Sequence, residues 1–211
     1  MDFQLSTDHF KYQFLAAKRK SKKIMLVLHG RGDSLKPFKN FDKELGVPEM
    51  NYLLLNAPRK YLKGFSWFGE PPYEKTGVLR VRSMIFDVIN DLEKQGYKAK
   101  NIFLFGFSQG CLVSADVALN YPKQLGGVIG VSGYFHFFPR WRQSLTQDSR
   151  KTPWIMTHGY RDDILPYQET KFGAEKLKDS GLDIEFVSLN KKHDMIDEEF
   201  PIIKRWVKTH L

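Results

Sequence analysis

Short apolar runs alternate along the chain with longer stretches in which apolar residues recur at every third or fourth position. The apolar runs predict strands buried on both faces, and they lie at residues 24–28, 52–55, 102–105, 128–132 and 154–157. Residues 184–189 predict a last strand. Residues 9–15 alternate aromatic and polar side chains, which is typical of a strand at the edge of a sheet.

Helical spacing of apolar residues marks the segments between these strands. The clearest case is a crossover helix from Val78 to Leu92, with Gly96 near its C-terminal end. Further helices are predicted at residues 37–45, 111–119, 166–179 and 201–207, the third of them beginning at a proline. Strands that alternate with helices predict an α/β fold with a mostly parallel central sheet and helices on both faces.

Composition predicts an ordinary globular protein. No repeat, low-complexity segment or linker is visible, so a single domain is expected over residues 1–211. Hydrophobic residues make up 42% and charged residues 27% of the chain, which argues against disorder. No apolar run approaches the ~20 residues that span a bilayer, so no stable membrane insertion is expected. The single cysteine excludes an intramolecular disulfide and no secretory signal is visible, so we expect a cytoplasmic monomer or homodimer.

The formal net charge of +9 raises the question of an anionic partner. The one basic run, residues 18–23, lies between two predicted strands and is most simply a solvated turn. The chain has no zinc-finger spacing, no RNA-binding aromatic signature and no basic helix with heptads, so no nucleic-acid partner is expected. A non-catalytic binding protein for an anionic partner stays open as an alternative.

A Gly-Phe-Ser-Gln-Gly sequence at residues 106–110 stands between a predicted buried strand and a predicted helix. This is the context of a nucleophile elbow, in which a serine occupies a sharp turn after a strand. The turn has no room for flanking side chains, which accounts for Gly106 and Gly110. Ser108 is therefore the candidate nucleophile, and the helix that follows directs free N–H groups toward charge formed beside it. Cys111 fits a small buried residue better than a nucleophile.

A serine hydroxyl needs a general base, and two later loops supply candidates for a base and an acid. Asp162 and Asp163 follow the strand at residues 154–157, and His193 follows the last predicted strand. Serine, aspartate, histidine is the chain order of α/β-hydrolases, and loops at the carboxyl ends of parallel strands meet at one edge of the sheet. We therefore expect Ser108, one of the two aspartates and His193 to form a catalytic triad.

The His-Gly loop, residues 29–33, follows the first buried strand and can lend a backbone N–H group to an oxyanion hole. We assign this donor to Arg31, with the N–H of Gln109 as the second. His29 precedes the serine and His158 shares a loop with the aspartates, so both are expected to brace their loops. No His, Cys and Asp cluster has metal-ligand spacing, so no metal is expected.

Two aromatic-rich stretches follow neighbouring strands. Residues 59–75 are predicted to form a long irregular loop, and residues 133–141 form the second stretch. These stretches either form an apolar substrate-binding wall or pack down as satellite clusters, and four side chains are the candidates for substrate binding: Trp67, Phe68, Tyr134 and Phe135. Three arginines either attract anions to the rim of such a pocket or are simply solvated: Arg140, Arg142 and Arg150.

Taken together, the motifs resemble the phospholipase/carboxylesterase family of α/β-hydrolases, which includes acyl-protein thioesterases. Six stretches stand in the order of that family, at residues 28–34, 56–58, 66–68, 106–110, 131–134 and 158–166. The family's His-Gly-x-x-Asp pattern selects Asp162 over Asp163, and its single histidine loop near the end falls on His193.

This resemblance implies an α/β-hydrolase fold and a serine carboxylesterase or thioesterase that acts through an acyl-serine intermediate on apolar acyl groups. It implies no metal or organic cofactor, and a substrate that is a small-molecule ester, a thioester or an acylated protein. The chain departs from the family at Arg31, which is usually apolar, at Gly69, usually acidic, and at Cys111, usually glycine. These positions bear on substrate preference. A serine peptidase or amidase on the same fold stays open as the catalytic alternative.

Overall fold

The structure, a computed structural model, describes residues 3–137 and 141–211. It contains nine strands in this part of the chain: β1 (Tyr12–Leu15), β2 (Lys23–Leu28), β3 (Met50–Leu55), β4 (Arg59–Tyr61), β5 (Gly64–Ser66), β6 (Ile102–Phe107), β7 (Gly127–Val131), β8 (Trp154–Gly159) and β9 (Ile184–Leu189). Seven strands form one sheet in the order β1-β3-β2-β6-β7-β8-β9. The edge strand β1 is antiparallel to β3 and every other neighbouring pair in this sheet is parallel, which confirms the predicted sheet.

Helices cover both faces of the sheet, as predicted. The described helices are α1 (Phe41–Leu45), α2 (Glu74–Lys94), α3 (Gln109–Asn120), α4 (Trp141–Ser144), α5 (Tyr167–Asp179) and α6 (Glu199–Thr209). Short 3-10 turns occur at Lys36–Asn40, Ala99–Asn101 and Ser149–Lys151. Helices α2, α3 and α5 pack on one face, and α1 and α6 pack on the other.

Successive side chains of each buried strand point to opposite faces of the sheet, so each strand contributes to two apolar clusters, one on each face. In β2, Leu26 and Leu28 join the apolar cluster under α2 and α3, whereas Met25 and Val27 join the cluster under α1 and α6. Such a strand is apolar on both faces, which explains why the sequence shows continuous apolar runs rather than alternation. Because the strands are parallel, the loops after β2, β6, β8 and β9 leave the sheet at the same edge.

The prediction that residues 59–75 form one irregular loop is wrong. Strands β4 and β5 pair as a hairpin, with Arg59 opposite Ser66 and Tyr61 opposite Gly64, and α2 already begins at Glu74. The hairpin is attached to the His-Gly loop, because the Phe65 N–H donates to the Asp33 carbonyl at 2.8 Å. The predicted loop at residues 133–141 is covered only in part, since Arg140 lies outside the described residues.

None of the helices in residues 3–137 and 141–211 combines the length and the apolar composition that a bilayer crossing requires.

Candidate active site

The elbow holds Ser108 on strained backbone between β6 and α3. Its φ of 52° and ψ of −116° place a non-glycine residue in a region that side chains disfavour. An ideal Cβ atom at Gly106 would lie 2.3 Å from the Gly110 carbonyl oxygen, and one at Gly110 would lie 2.2 Å from the Leu28 carbonyl oxygen. Neither position therefore accepts a side chain, and the tight turn presents the serine at the carboxyl edge of the sheet.

His193 lies beside the serine, in the loop between β9 and α6. Its Nε2 atom is 2.9 Å from Ser108 Oγ, and its Nδ1 atom is 2.9 Å from Asp162 Oδ2. A carboxylate only accepts hydrogen bonds, so Nδ1–H donates to Asp162, and Nε2 of the neutral ring accepts from the serine hydroxyl. The structure therefore brings together the three side chains that the sequence selects for a triad.

Asp162 is fixed on both of its carboxylate oxygens. Oδ1 accepts hydrogen bonds from the backbone N–H groups of Ile164 and Leu165, at 2.9 and 2.8 Å. Burial by itself raises the pKa of Asp162, but the hydrogen bonds from Leu165, His193 and Ile164 outweigh it and hold the pKa below its ordinary value. The neighbouring Asp163 is exposed, with its carboxylate 3.8 Å from Lys192 Nζ. Asp162 thus stays charged at neutral pH, where it can face an imidazolium.

His158 packs behind this aspartate and is fully buried. Its Nε2–H donates to the Leu165 carbonyl at 3.0 Å, and the same nitrogen lies 3.4 Å from Asp162 Oδ2. Its Nδ1 atom has no hydrogen-bond partner among the described residues, and burial lowers the pKa of the ring. A neutral His158 therefore braces the aspartate loop, in the role that the sequence gives it.

The His-Gly loop passes beside the elbow, and both predicted oxyanion donors are available there. The backbone N–H groups of Arg31 and Gln109 form no hydrogen bond with another residue of the described chain. His29 braces the loop from below, because its Nδ1–H donates to the Gly30 carbonyl at 2.6 Å and its Nε2 accepts from the Ala57 N–H at 3.0 Å. Burial lowers the pKa of His29, which keeps the ring neutral.

The side chain of Gln109 has a function that the sequence did not reveal. It is buried, and its Oε1 atom accepts hydrogen bonds from the Trp67 N–H at 2.9 Å and from Ser66 Oγ at 3.1 Å. Its Nε2 atom donates to the Phe68 carbonyl at 3.2 Å. The amide thus ties the elbow to residues 66–68. A polar residue between Ser108 and the tightly packed Gly110 was the only local signal.

A cleft of about 520 Å³ opens over Ser108 and His193. Phe68 and Tyr134 line it, together with Ile164 and Leu165, so two of the four predicted substrate-binding residues lie where they were expected. Burial next to Glu74 raises the pKa of Tyr134 to about 12, so its hydroxyl stays a neutral donor.

Trp67 does not line this cleft, and its assignment to substrate binding is wrong. The indole is fully buried, with its ring centroid 5.8 Å from that of Phe10 and 5.4 Å from that of His29. Its Nε1–H donates to the His29 carbonyl at 2.8 Å. Trp67 therefore supports the His-Gly loop from the core side, which is the satellite-cluster alternative for this residue.

Phe135 is likewise not a cleft residue. Its ring lies against α5, where an ideal Cβ at Gly173 would be 2.4 Å from it, and it stacks on Phe137 at 5.7 Å. Arg142 and Arg150 do not form an anion-attracting rim either. Both donate to Ser180 at the end of α5, with 2.8 Å between Arg142 Nε and Ser180 Oγ. The apolar and basic character of this stretch thus serves packing against α5.

A buried ion pair lies under the histidine loop, and nothing in the sequence pointed to it. Lys191 and Glu199 have fully buried side chains, with 2.7 Å between Nζ and Oε1. Lys191 also donates to Ser132 Oγ and to the Asp194 carbonyl, each at 2.8 Å. Glu199 accepts from the Ile196 N–H at 2.9 Å. The pair therefore joins both sides of His193 to the ends of β7 and α6.

A cysteine thiolate or a metal site would support chemistry other than that of a serine. Cys111 is buried beside Met156, and burial raises the pKa of its thiol to about 12, so it is not a thiolate at neutral pH. Among residues 3–137 and 141–211, no group of three or more His, Cys, Asp and Glu side chains is arranged to hold a metal ion.

Comparisons with known sequences converge on one family. A sequence model described as Phospholipase/Carboxylesterase matches residues 11–211. A probable carboxylesterase of Oryza sativa subsp. japonica is 29% identical over 217 residues, covering 93% of this chain and 80% of that protein. Carboxylesterase SOBER1 of Arabidopsis thaliana is 27% identical, covering 89% and 90%. Acyl-protein thioesterase 1 of Aspergillus fumigatus is 28% identical, covering 82% and 80%.

Solved structures agree with this result. A crystal structure of an Arabidopsis thaliana SOBER1 variant superposes with a TM-score of 0.83 at 25% identity, covering 89% of this chain and 99% of that chain. The structure of esterase PE8 superposes with a TM-score of 0.85 at 21% identity, covering 96% and 99%. The second likeness concerns the fold alone.

Proposed function

The chain belongs to the phospholipase/carboxylesterase family of α/β-hydrolases, and we propose that it is a serine hydrolase that cleaves carboxylic esters or thioesters with Ser108 as its nucleophile. The observation that carries the assignment of residues is the chain of two 2.9 Å hydrogen bonds from Ser108 through His193 to Asp162, at the floor of an open cleft. Its substrates are small-molecule esters or thioesters, or an acylated protein.

In the first half of the reaction, Ser108 Oγ attacks the carbonyl carbon while His193 Nε2 takes the hydroxyl proton. The charged Asp162 stabilises the imidazolium and holds Nδ1 as the donor, which leaves Nε2 directed at the serine. The free N–H groups of Arg31 and Gln109 bind the negative oxygen of the tetrahedral intermediate. Removing one such donor typically costs about 100- to 1000-fold in rate.

Collapse of the intermediate breaks the bond to the alcohol or thiol, and His193 returns its proton to that leaving group. An acyl-serine remains. Water then attacks it with His193 again as the base, and the carboxylic acid is released with the serine regenerated. Phe68, Ile164 and Leu165 at the cleft wall favour an apolar acyl group.

A test of this proposal is pre-steady-state hydrolysis of p-nitrophenyl acetate and butyrate. We expect a burst of p-nitrophenol close to one equivalent, and loss of at least about 1000-fold in kcat for Ser108→Ala. Ser114→Ala is the matched control, because Ser114 is a buried serine of α3 whose hydroxyl has no partner within the described chain. Full activity in Ser108→Ala would refute the assignment.

The alternatives are separated by two further measurements. Covalent labelling of wild type, but not of Ser108→Ala, by a fluorophosphonate probe would argue against a non-catalytic binding protein. Amides matched to the esters in acyl group should be cleaved far more slowly, and comparable rates would favour the peptidase or amidase alternative. A cytoplasmic location and a monomeric or homodimeric state stay predictions.

A further inference from the structure

A second cavity, of about 260 Å³, adjoins the cleft over Ser108. The two share five lining residues: Arg31, Tyr61, Phe68, Gly69 and Glu70. The hairpin residues Arg59 and Lys60 also line the second cavity. A substrate whose carbonyl lies at Ser108 reaches this cavity if it extends past the shared residues.

Arg59 is an exposed residue of β4 that lines the second cavity together with its neighbours Lys60 and Tyr61, and it does not line the cleft itself. Its guanidinium lies against the backbone at Gly69, where an ideal Cβ would be only 2.6 Å from Arg59 Nη1. A side chain at position 69 would therefore force the guanidinium to shift.

The charge of Arg59 is not neutralised by any described residue. It forms no hydrogen bond or ion pair within residues 3–137 and 141–211. The one acidic side chain of this cavity, Glu70, is bound by Arg31, whose Nη2 also donates to Tyr61 Oη at 2.6 Å. Glu74 lines the cleft itself, 3.5 Å from His136 Nδ1. Arg59 and Lys60 therefore remain as cations of this cavity that have no acidic partner among the described residues.

We propose that Arg59 forms a carboxylate-binding subsite, and that the preferred esters or thioesters carry a carboxylate away from the scissile bond. A planar guanidinium pairs with a carboxylate through two parallel hydrogen bonds. Lys60 lines the same cavity and adds to its positive charge. This inference rests on the proposed hydrolase function.

The test compares matched ester pairs that differ in one carboxylate. On the leaving-group side the pair is 4-acetoxybenzoate and its methyl ester. On the acyl side it is 4-nitrophenyl hydrogen adipate and 4-nitrophenyl hexanoate. The measured quantity is the ratio of kcat/KM for the anionic over the neutral ester, corrected for spontaneous hydrolysis. The pair that responds shows which part of the substrate enters the subsite.

We expect Arg59→Gln to lower this ratio by roughly 3- to 10-fold in one pair of esters. Arg59→Lys should keep part of the preference for the anionic ester, because the positive charge remains. Gly69→Asp should lower it as well, because it places a competing carboxylate against Arg59. Lys63→Gln is the charge-matched control. It lies in the turn of the same hairpin, is exposed and lines neither cavity, so its ratio should equal that of wild type.

An unchanged ratio in Arg59→Gln, with esters still hydrolysed in a Ser108-dependent manner, overturns the subsite and leaves the hydrolase function standing. An equal drop in Lys63→Gln also overturns it, since the effect would then be one of general surface charge. If no ester of either pair is hydrolysed through Ser108, the hydrolase function fails and the subsite fails with it.

Discussion

At the scale of single residues, the sequence indicated the side chains of the candidate triad better than it indicated which aromatic side chains are buried and which line the cleft. Ser108, His193 and the pair Asp162 and Asp163 could be selected because each follows a predicted strand, and parallel strands end at one edge. The family resemblance was needed to choose Asp162 over Asp163. The two aromatic residues Trp67 and Phe68 could not be told apart by sequence. They are neighbours, and only the three-dimensional packing turns one into the core and the other toward the cleft.

Asp116 on α3 is a buried acid that the proposed reaction does not use. Its Oδ2 atom has no hydrogen-bond partner among the described residues and lies 3.5 Å from Arg82 Nη1. Burial raises the pKa of Asp116 to about 6, although Arg82 and His136 oppose the shift. Because the folded-state pKa exceeds the unfolded value of about 3.9, folding favours the protonated form. The stabilisation by protonated Asp116 is therefore complete below about pH 3.9 and is lost as the pH rises through about 6.

Asp116→Asn should therefore stabilise the protein at pH 8 by about 1–2 kcal/mol, or a few degrees in Tm. The gain is smaller than the full pKa shift corresponds to, because the asparagine amide enters a place where Oδ2 has no hydrogen-bond partner and the cation Arg82 is the nearest polar group, with its Nη1 at 3.5 Å. The gain should nearly vanish at pH 4. Thermal unfolding at both pH values measures it, and Asp148→Asn, an exposed aspartate, is the control. Equal effects of Asp116→Asn at the two pH values would contradict this account.

At the scale of elements, longer segments were predictable and short pairings were not. Strand β9 matches its predicted bounds, since six consecutive residues carry the signal. Strands β4 and β5 have only three residues each, too few for a periodic pattern. Their pairing also depends on the His-Gly loop, through the bond from Phe65 to Asp33, and that contact is invisible along the chain.

The loop between β9 and α6 depends on its buried ion pair in a way that can be measured. Lys191→Met leaves the Glu199 carboxylate buried without its cation, so we expect a loss of about 3–5 kcal/mol in the free energy of unfolding. The double variant Lys191→Met with Glu199→Gln should recover part of this loss, because no buried charge is left uncompensated. Urea unfolding of the single and double variants gives the coupling.

The same variants report on the position of His193. If the ion pair holds the loop, Lys191→Met should lower kcat for p-nitrophenyl butyrate more than it raises KM, since binding surfaces in the cleft are untouched. The control is Lys192→Met, an exposed neighbour. A stability within about 0.5 kcal/mol of wild type for Lys191→Met would show that the pair contributes nothing.

At the scale of the whole molecule, the alternation of strands and helices was enough to predict the architecture. The alternation did not predict which basic side chains are left unpaired, because basic residues are spread along the chain and their pairing depends on tertiary contacts. Of the hairpin cations, Arg59 and Lys60 line the second cavity, whereas Lys63 lies in the turn and lines neither cavity. The sequence favoured solvation for its one basic run and left an anionic partner open as an alternative.

A single folding domain remains a proposal, and the two apolar clusters allow it to be tested. Trp67 and Trp154 belong to one cluster and Trp206 to the other, on opposite faces of the sheet. In Trp206→Phe, tryptophan fluorescence reports mainly on the first face, whereas far-UV circular dichroism reports on all elements. For one cooperative unit both should give the same urea midpoint. Separate transitions would indicate two units.

The amide of Gln109 has a consequence for laboratory evolution of this enzyme. Two of its partners are backbone groups, the Trp67 N–H and the Phe68 carbonyl, so no side-chain change at those two positions can replace a lost amide at Gln109. Saturation mutagenesis aimed at new acyl groups should therefore keep Gln109 and Ser66 constant. It can diversify Phe68, Tyr134 and Ile164, which line the cleft, because Phe68 meets the amide only through its carbonyl.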